Sequence, residues 1–238
     1  MEKKKLTSFI DKYYLAGSTN NAKLIIQDKN ISCDFITDDR NVVGKITSNG
    51  FDVDNCELGV YATSQLLKII SALDADIKVE IKKAGTTAYS IQLIDNNSEA
   101  TFMLADLAVI SQVPQMKQLP NFDAKIKLTK EFTDRYIKAK NALPDSLNFA
   151  VSAENNQAQL IVNYSTIKTS RICFNVEADV TSTLSPISFN ANTFKEILMA
   201  NKDADSGTIE VSSAGLARVI FTGTNFTSTY YLVQLQAA

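Results

Sequence analysis

Lys5-Leu6-Thr7, followed by Phe9-Ile10-Asp11-Lys12-Tyr13, returns past the middle of the chain as Lys127-Leu128-Thr129, followed by Phe132-Thr133-Asp134-Arg135-Tyr136. A second echo joins other regions. Leu66, Ile69 and Ile70, with Ala84-Gly85 after them, match Phe194, Ile197 and Leu198, with Ala214-Gly215 after them. The offsets run from 122 to 130 residues. A repeat that long is a duplicated domain, not a solenoid module.

The local patterns agree with two copies of one design. Residues 7–16 read as a short helix, with Thr7 or Ser8 as N-cap and Gly17 as stop. Strand-like runs follow at 24–26, 31–36 and 42–46, separated by Asp/Asn turns. In 63–73 the residues Leu66, Ile69, Ile70 and Leu73 stand at i, i+3, i+4 and i+7, one buried helical stripe. Residues 77–81 alternate as a half-buried strand should, and 89–94 and 101–104 follow, joined across Asp95-Asn96-Asn97-Ser98. The second half repeats the order. Helices are expected over 130–143 and 192–201, and strands over 147–152, 158–164, 172–176, 208–211, 217–221 and 229–235. Thr222-Gly223-Thr224-Asn225 takes the place of the Asp95 turn. Leu107 to Ala124, with Pro114 and Pro120, reads as an extended connector. The expected domains are 1–108 and 125–238, with a connector over 109–124. Each is two helices packed on antiparallel strands, an α+β pattern.

Composition excludes several classes. No run of about 18 apolar residues is present to span a membrane, and Met1-Glu2-Lys3-Lys4-Lys5 has no signal-like apolar stretch behind it. A cytoplasmic protein is expected. Cys33, Cys56 and Cys173 are far apart and lack Cys-x-x-Cys spacing, so they read as free thiols. There is no histidine, which removes the commonest general base and metal ligand. The eight glycines form no phosphate-binding loop. The carboxylate pairs Asp38-Asp39, Asp52/Asp54 and Asp74/Asp76 read as solvated turns. No enzyme activity, cofactor or metal is expected.

Charge placement points to function. Residues 3–14, 63–73, 125–140 and 192–202 carry thirteen basic residues against four acidic ones. The rest of the chain then holds eleven of the 24 basic and twenty-two of the 26 acidic residues. On a helical wheel Phe132, Tyr136, Ala139 and Leu143 fall on one side of the third helix and Lys130, Arg135 and Lys138 mostly opposite. Lys195 and Lys202, seven apart, share a face of the fourth. A segregated basic surface on an acidic body is the footprint of phosphate binding.

With these features the chain resembles the DNA polymerase sliding clamps, nearest the T-even-type phage clamps and more distantly proliferating cell nuclear antigen. The duplicated halves, the Pro-containing connector and the run from Asn192 to Gln234 carry the likeness. The resemblance implies a DNA-clamp fold and a ring of pseudo-sixfold symmetry, hence a homotrimer of two-domain chains. It implies a processivity factor of DNA replication, viral if phage-encoded and then acting in the host cytoplasm. Its partners would be double-stranded DNA without sequence preference, the DNA polymerase and the clamp loader ATPase. Lys4, Lys5, Lys12, Lys68, Lys130, Arg135, Lys138, Lys195 and Lys202 would face the hole. Connector residues Val109, Ile110, Val113, Met116 and Leu119, with Val42, Val43 and Leu235 as neighbours, would form a pocket for partner peptides; the alternative is that the connector residues simply pack down onto the sheet. The alternative is a non-enzymatic β-rich structural or assembly protein of a phage or cell. That reading accounts for the repeat but not for basic helices on an acidic body.

Overall fold

The computed structural model of the chain describes residues 2–114 and 118–235. Two compact units emerge. The first holds the chain up to Pro114 together with Asn225–Ser228, and the second holds the remainder.

In the first unit, α1 (Lys3–Tyr14) is followed by β1 (Ala22–Gln27), β2 (Asn30–Ile36), β3 (Val42–Asn49) and β4 (Cys56–Val60). Then come α2 (Thr63–Ser71), β5 (Lys78–Ala84), β6 (Thr87–Ile94) and β7 (Glu99–Met103). Strands β4, β1, β2 and β3 pair antiparallel in that order. Strands β5, β6 and β7 form a separate three-stranded sheet. Alternation explains β1 and β3: Ala22, Leu24 and Ile26, like Val42 and Ile46, turn inward while their neighbours face water. Helix α1 packs on α2 and β3, sinking Leu6, Phe9, Ile10 and Tyr13.

The second unit opens with β8 (Ala124–Lys127). It then repeats the order as α3 (Lys130–Ala142), β9 (Asn148–Glu154), β10 (Gln157–Val162), β11 (Ile172–Val180), β12 (Leu184–Asn190), α4 (Ala191–Ala200), β13 (Ser206–Ser212), β14 (Leu216–Gly223) and β15 (Phe226–Val233). Here β12, β9, β10, β11, β8, β13 and β14 pair in sequence, with β15 beside β14. Strand β8 bridges β11 and β13, so the two sheets of this unit are stapled into one. At the matching place the first unit has the isolated pair Glu2 and Asp76.

The duplication extends to single hydrogen bonds. Tyr13 and Tyr136, both fully buried, reach from the first helix of their unit to the start of the second. Tyr13 meets the Thr63 hydroxyl at 3.5 Å, and the Tyr136 hydroxyl donates to the Ala191 carbonyl at 3.1 Å. Two residues past β7, the Ala105 N–H donates to Gly59 on β4, and two residues past β15 the Leu235 N–H donates to Ser188 on β12, both at 2.9 Å. Asp28-Lys29 and Asn155-Asn156 turn the first hairpin of each copy through left-handed backbone.

Some boundaries differ from expectation. Helix α1 begins at Lys3, not Thr7. The Thr7 hydroxyl donates to the Lys3 carbonyl at 3.0 Å, a bond made inside a helix and not a cap. In α3 and α4 the caps are conventional: Thr129 accepts from the Phe132 N–H at 3.1 Å and Asn190 from the Thr193 N–H at 3.0 Å. Strands β4, β8 and β12 were not foreseen. Lys125 and Lys127 therefore sit on a strand, and α4 ends before Lys202. The Asn201 amide stops that helix by donating to the Ile197 carbonyl and to the Tyr230 hydroxyl, each at 2.8 Å.

One loop carboxylate ties segments of the second unit together. Asp123 accepts from the Ser213 N–H at 2.7 Å. That bond, with further ones from the Ser213 and Ser182 side chains, holds its carboxyl below the usual aspartate value of 3.8. A depressed folded-state value stabilises above the unfolded one and is lost as pH falls through the folded one. Asp123→Asn is expected to lower the melting temperature at pH 7, with the difference closing as the pH drops below 3.8. Melting curves of both proteins across pH 2–7 check this.

Candidate nucleic-acid interface

Each unit presents two helices whose apolar stripe is sunk; together the helices carry more cations than carboxylates, although α4 itself balances Lys195 with Glu196. Within the observed helices ten basic residues stand against four acidic ones. The enrichment expected from the sequence thus survives the corrected boundaries.

In the first unit Lys4 and Lys68 are exposed and Lys5 is half-buried. The Lys5 ammonium donates to the Gly50 carbonyl at 2.8 Å and lies 5.3 Å from the centre of the Phe51 ring. Lys3 is spent on structure, donating to the Leu73 and Ser71 carbonyls at the end of α2. Lys12 corrects the expectation. It is 1% exposed, and its ammonium donates to the Ser8 hydroxyl at 2.7 Å and lies 4.0 Å from the centre of the Phe226 ring. A phosphate cannot reach it there, so Lys12 leaves the candidate surface.

In the second unit Lys130, Arg135 and Lys138 are exposed on α3, opposite buried Phe132, Tyr136 and Ala139. Lys195 is half-buried on α4, and Lys202 is exposed in the turn beyond it. Lys130, Arg135 and Lys138 border one concave stretch with Glu131 and Asp134. Arg135 is already engaged. It pairs with Glu131 at 2.7 Å, one turn away, and its guanidinium lies 5.8 Å from the Phe174 ring. An exposed pair of that kind contributes a few tenths of a kcal/mol.

The wheel did not mark Lys140. Its ammonium is buried and donates to the Pro144 carbonyl at 2.7 Å and the Leu143 carbonyl at 3.4 Å. Burial, and then the nearby Lys195 charge, hold it below the usual lysine value. Leu143-Pro144 at the helix end was the available signal, since freed carbonyls attract a cation.

The expected peptide pocket is only partly accessible. Val42 and Ile110 are buried, which corrects their assignment: a side chain sunk in the core offers a peptide nothing. In the first unit Val43 and Val113 are half-buried and Val109 is 71% exposed. Val109 ends a short 3-10 turn that Asp106 caps by accepting the Ala108 N–H at 2.8 Å. In the second unit Leu119 and Leu235 are half-buried. Met116 lies outside the described residues.

Among the described residues no three Cys, Asp or Glu gather as a metal site, and no helix is long and apolar enough to cross a membrane. The sequence matches no known family profile and no curated protein. Solved structures do match over the whole chain. Proliferating cellular nuclear antigen from Entamoeba histolytica superposes with a TM-score of 0.75 at 16% identity, covering 99% of this chain and 97% of that one. The A. fulgidus antigen, solved with the C-terminal region of FEN-1 bound, gives 0.79 at 15%, covering 100% and 98%. The PCNA2–PCNA3 complex from Sulfolobus tokodaii gives 0.75 at 16%, covering 98% and 97%.

This is the sliding-clamp fold. The clamp fold accounts for the duplicated units, the antiparallel sheets and the four helices.

Proposed function

We propose that the chain is a DNA sliding clamp, a processivity factor that closes as a homotrimer around duplex DNA and tethers a replicative polymerase. The observation that carries this is the excess of cations over carboxylates on the helices, on a clamp fold whose remaining residues are net acidic. Lys4, Lys5, Lys68, Lys130, Lys138, Lys195 and Lys202 then contact phosphates without reading bases. Arg135, turned onto Glu131 and Phe174, is the exception. The wording of residues 192–234 favours a clamp of the T-even phage type.

Unpaired strand edges support the ring. Among the described residues β7 pairs with β6 alone, and β11 meets β8 only over Ala178–Val180, leaving Ile172–Glu177 open on that side. Other edges are blunted. Ala105 covers Gly59 on β4, β12 carries Pro186 and a register shift, and β5 carries Lys78, Lys82, Lys83 and a shift. Head-to-tail pairing of β7 with the next copy's β11 uses two different surfaces and closes after three chains. A ring with no chemistry of its own acts by docking others. Exposed Val109 offers apolar surface to short peptide tails of polymerase and loader.

Topology tests the reading. With loader and ATP supplied, the protein should stay on nicked circular DNA through gel filtration and come off when that DNA is linearised. Release from circle and line alike would exclude encirclement. Lys130→Glu/Lys138→Glu should reduce the amount loaded and lower the slope of log affinity against log salt by about 2. A slope equal to wild type would remove both lysines from the DNA surface.

A further inference from the structure

The first unit contains a filled version of a cleft that the second unit leaves open. Asn225–Ser228, the tip and start of the last hairpin, belongs to the first unit. It is held by β3 and α1. The Asn49 N–H and the Ser48 hydroxyl donate to the Asn225 carbonyl at 3.0 and 3.1 Å, and Lys12 covers the Phe226 ring. Each participant has a repeat counterpart. Tyr13 and Tyr136 align, so Lys12 aligns with Arg135. Asn30 pairs with Asn49 on β3 as Gln157 pairs with Glu177 on β11, so Asn49 aligns with Glu177. Ala105 and Leu235 make the same closing bond, so counting back 130 residues aligns Asn225–Ser228 with Asp95–Ser98.

The counterparts of the holding residues line an open cleft of about 760 Å³ in the second unit, bordered by Phe132, Arg135, Asn155, Asn156, Val176 and Glu177. We infer that this cleft receives the Asp95–Ser98 tip of a second copy of the chain, with the Glu177 N–H donating to the Asp95 carbonyl and Arg135 covering Asn96. The inference rests on the ring reading and assigns Arg135 to the neighbouring subunit instead of to DNA.

The order of the tip fits docking. The tip Asp95-Asn96-Asn97-Ser98-Glu99 carries two carboxylates and no cation, and the cleft, which balances Lys125, Lys127 and Arg135 against Glu131, Glu177 and Asp179, meets it with Arg135. The tip is already shaped for docking. The Asp95 carboxylate accepts from the N–H groups of Asn97 at 2.8 Å, Ser98 at 2.6 Å and Asp74 at 2.8 Å. Little ordering entropy is then left to lose on binding.

Cross-linking between chains tests the contact. In a Cys56→Ser/Cys173→Ser background, where the remaining Cys33 is buried, chains carrying Asn96→Cys are mixed with chains carrying Arg135→Cys and treated with a short bis-maleimide. A covalent dimer from the mixture, and none from either chain alone, is expected. Arg135→Glu should weaken assembly at least tenfold by light scattering, and adding Asn96→Lys should restore it in part. A wild-type trimer that yields no covalent product, or a folded Arg135→Glu chain that assembles like wild type, overturns the contact and leaves the ring standing. A wild-type chain that stays monomeric at high concentration overturns the ring and the contact together.

Discussion

Thr101→Pro is expected to leave a folded monomer and to weaken ring assembly on the order of 1,000-fold. Thr101 lies mid-way along β7, opposite Gln92 of β6. The Leu104 N–H donates to the Tyr89 carbonyl. Antiparallel pairs alternate, so the N–H groups of Phe102 and Ala100 also turn toward β6 while that of Thr101 turns to the open edge. Proline there removes an outward donor and places its ring where a neighbouring strand would lie, without touching the β6 ladder. Losing about 1.4 kcal/mol at each interface is tenfold, and the proposed trimeric ring has three of them. Light scattering over a concentration series, with circular dichroism to confirm folding, measures the effect. A Thr101→Pro trimer as tight as wild type would move the interface away from β7.

Phe194→Ala is expected to cost about 3–5 kcal/mol of stability, among the largest losses a single core change produces. Phe194 is fully buried on α4. Its ring stacks on Phe149 at 4.6 Å and meets Tyr136 edge-on at 4.8 Å and Phe132 at 6.5 Å. One side chain thereby joins α3, α4 and β9. Truncation leaves a cavity walled by rings on separate elements, which cannot all close in. Beyond the lost area, aromatic contacts of this geometry contribute about 0.5–1.5 kcal/mol each. Urea denaturation of the variant reads the cost, and a loss under 1 kcal/mol would mean that the cluster collapses around the gap.

The sequence revealed the duplication because the helix stripes are rigid signals. Phe9 and Tyr13 recur as Phe132 and Tyr136, and both pairs are buried. Strands that broke the alternation were missed. Strand β12 carries Pro186 and a register shift. Strand β4 carries Gly59, where an added Cβ would lie 2.5 Å from the Ala105 carbonyl oxygen. Strand β8 is four residues long and follows a proline-bearing stretch. The candidate surface was legible as charge but not as exposure. Lys12 and Arg135 hold one repeat position, yet one is buried and the other is not. Phe226 decides that difference, and it lies more than two hundred residues from Lys12. No window along a helix contains it. Val42 and Ile110 failed for a similar reason, since apolarity marks a core residue and a docking residue alike.

Strand β8 also divides the duplicated chain by cooperativity. In the second unit it fastens the hairpin layer to the β9–β12 layer through ladders on both sides, so those layers must melt together. Among the described residues the first unit joins its layers at this place through the Glu2–Asp76 pair and the Lys3 N–H on the Ala75 carbonyl. Its β5–β7 sheet is therefore the segment that can open locally while the rest stays folded. The two copies of the design differ in how far a disturbance spreads, and the compliant copy is the one that carries the Asp95 tip.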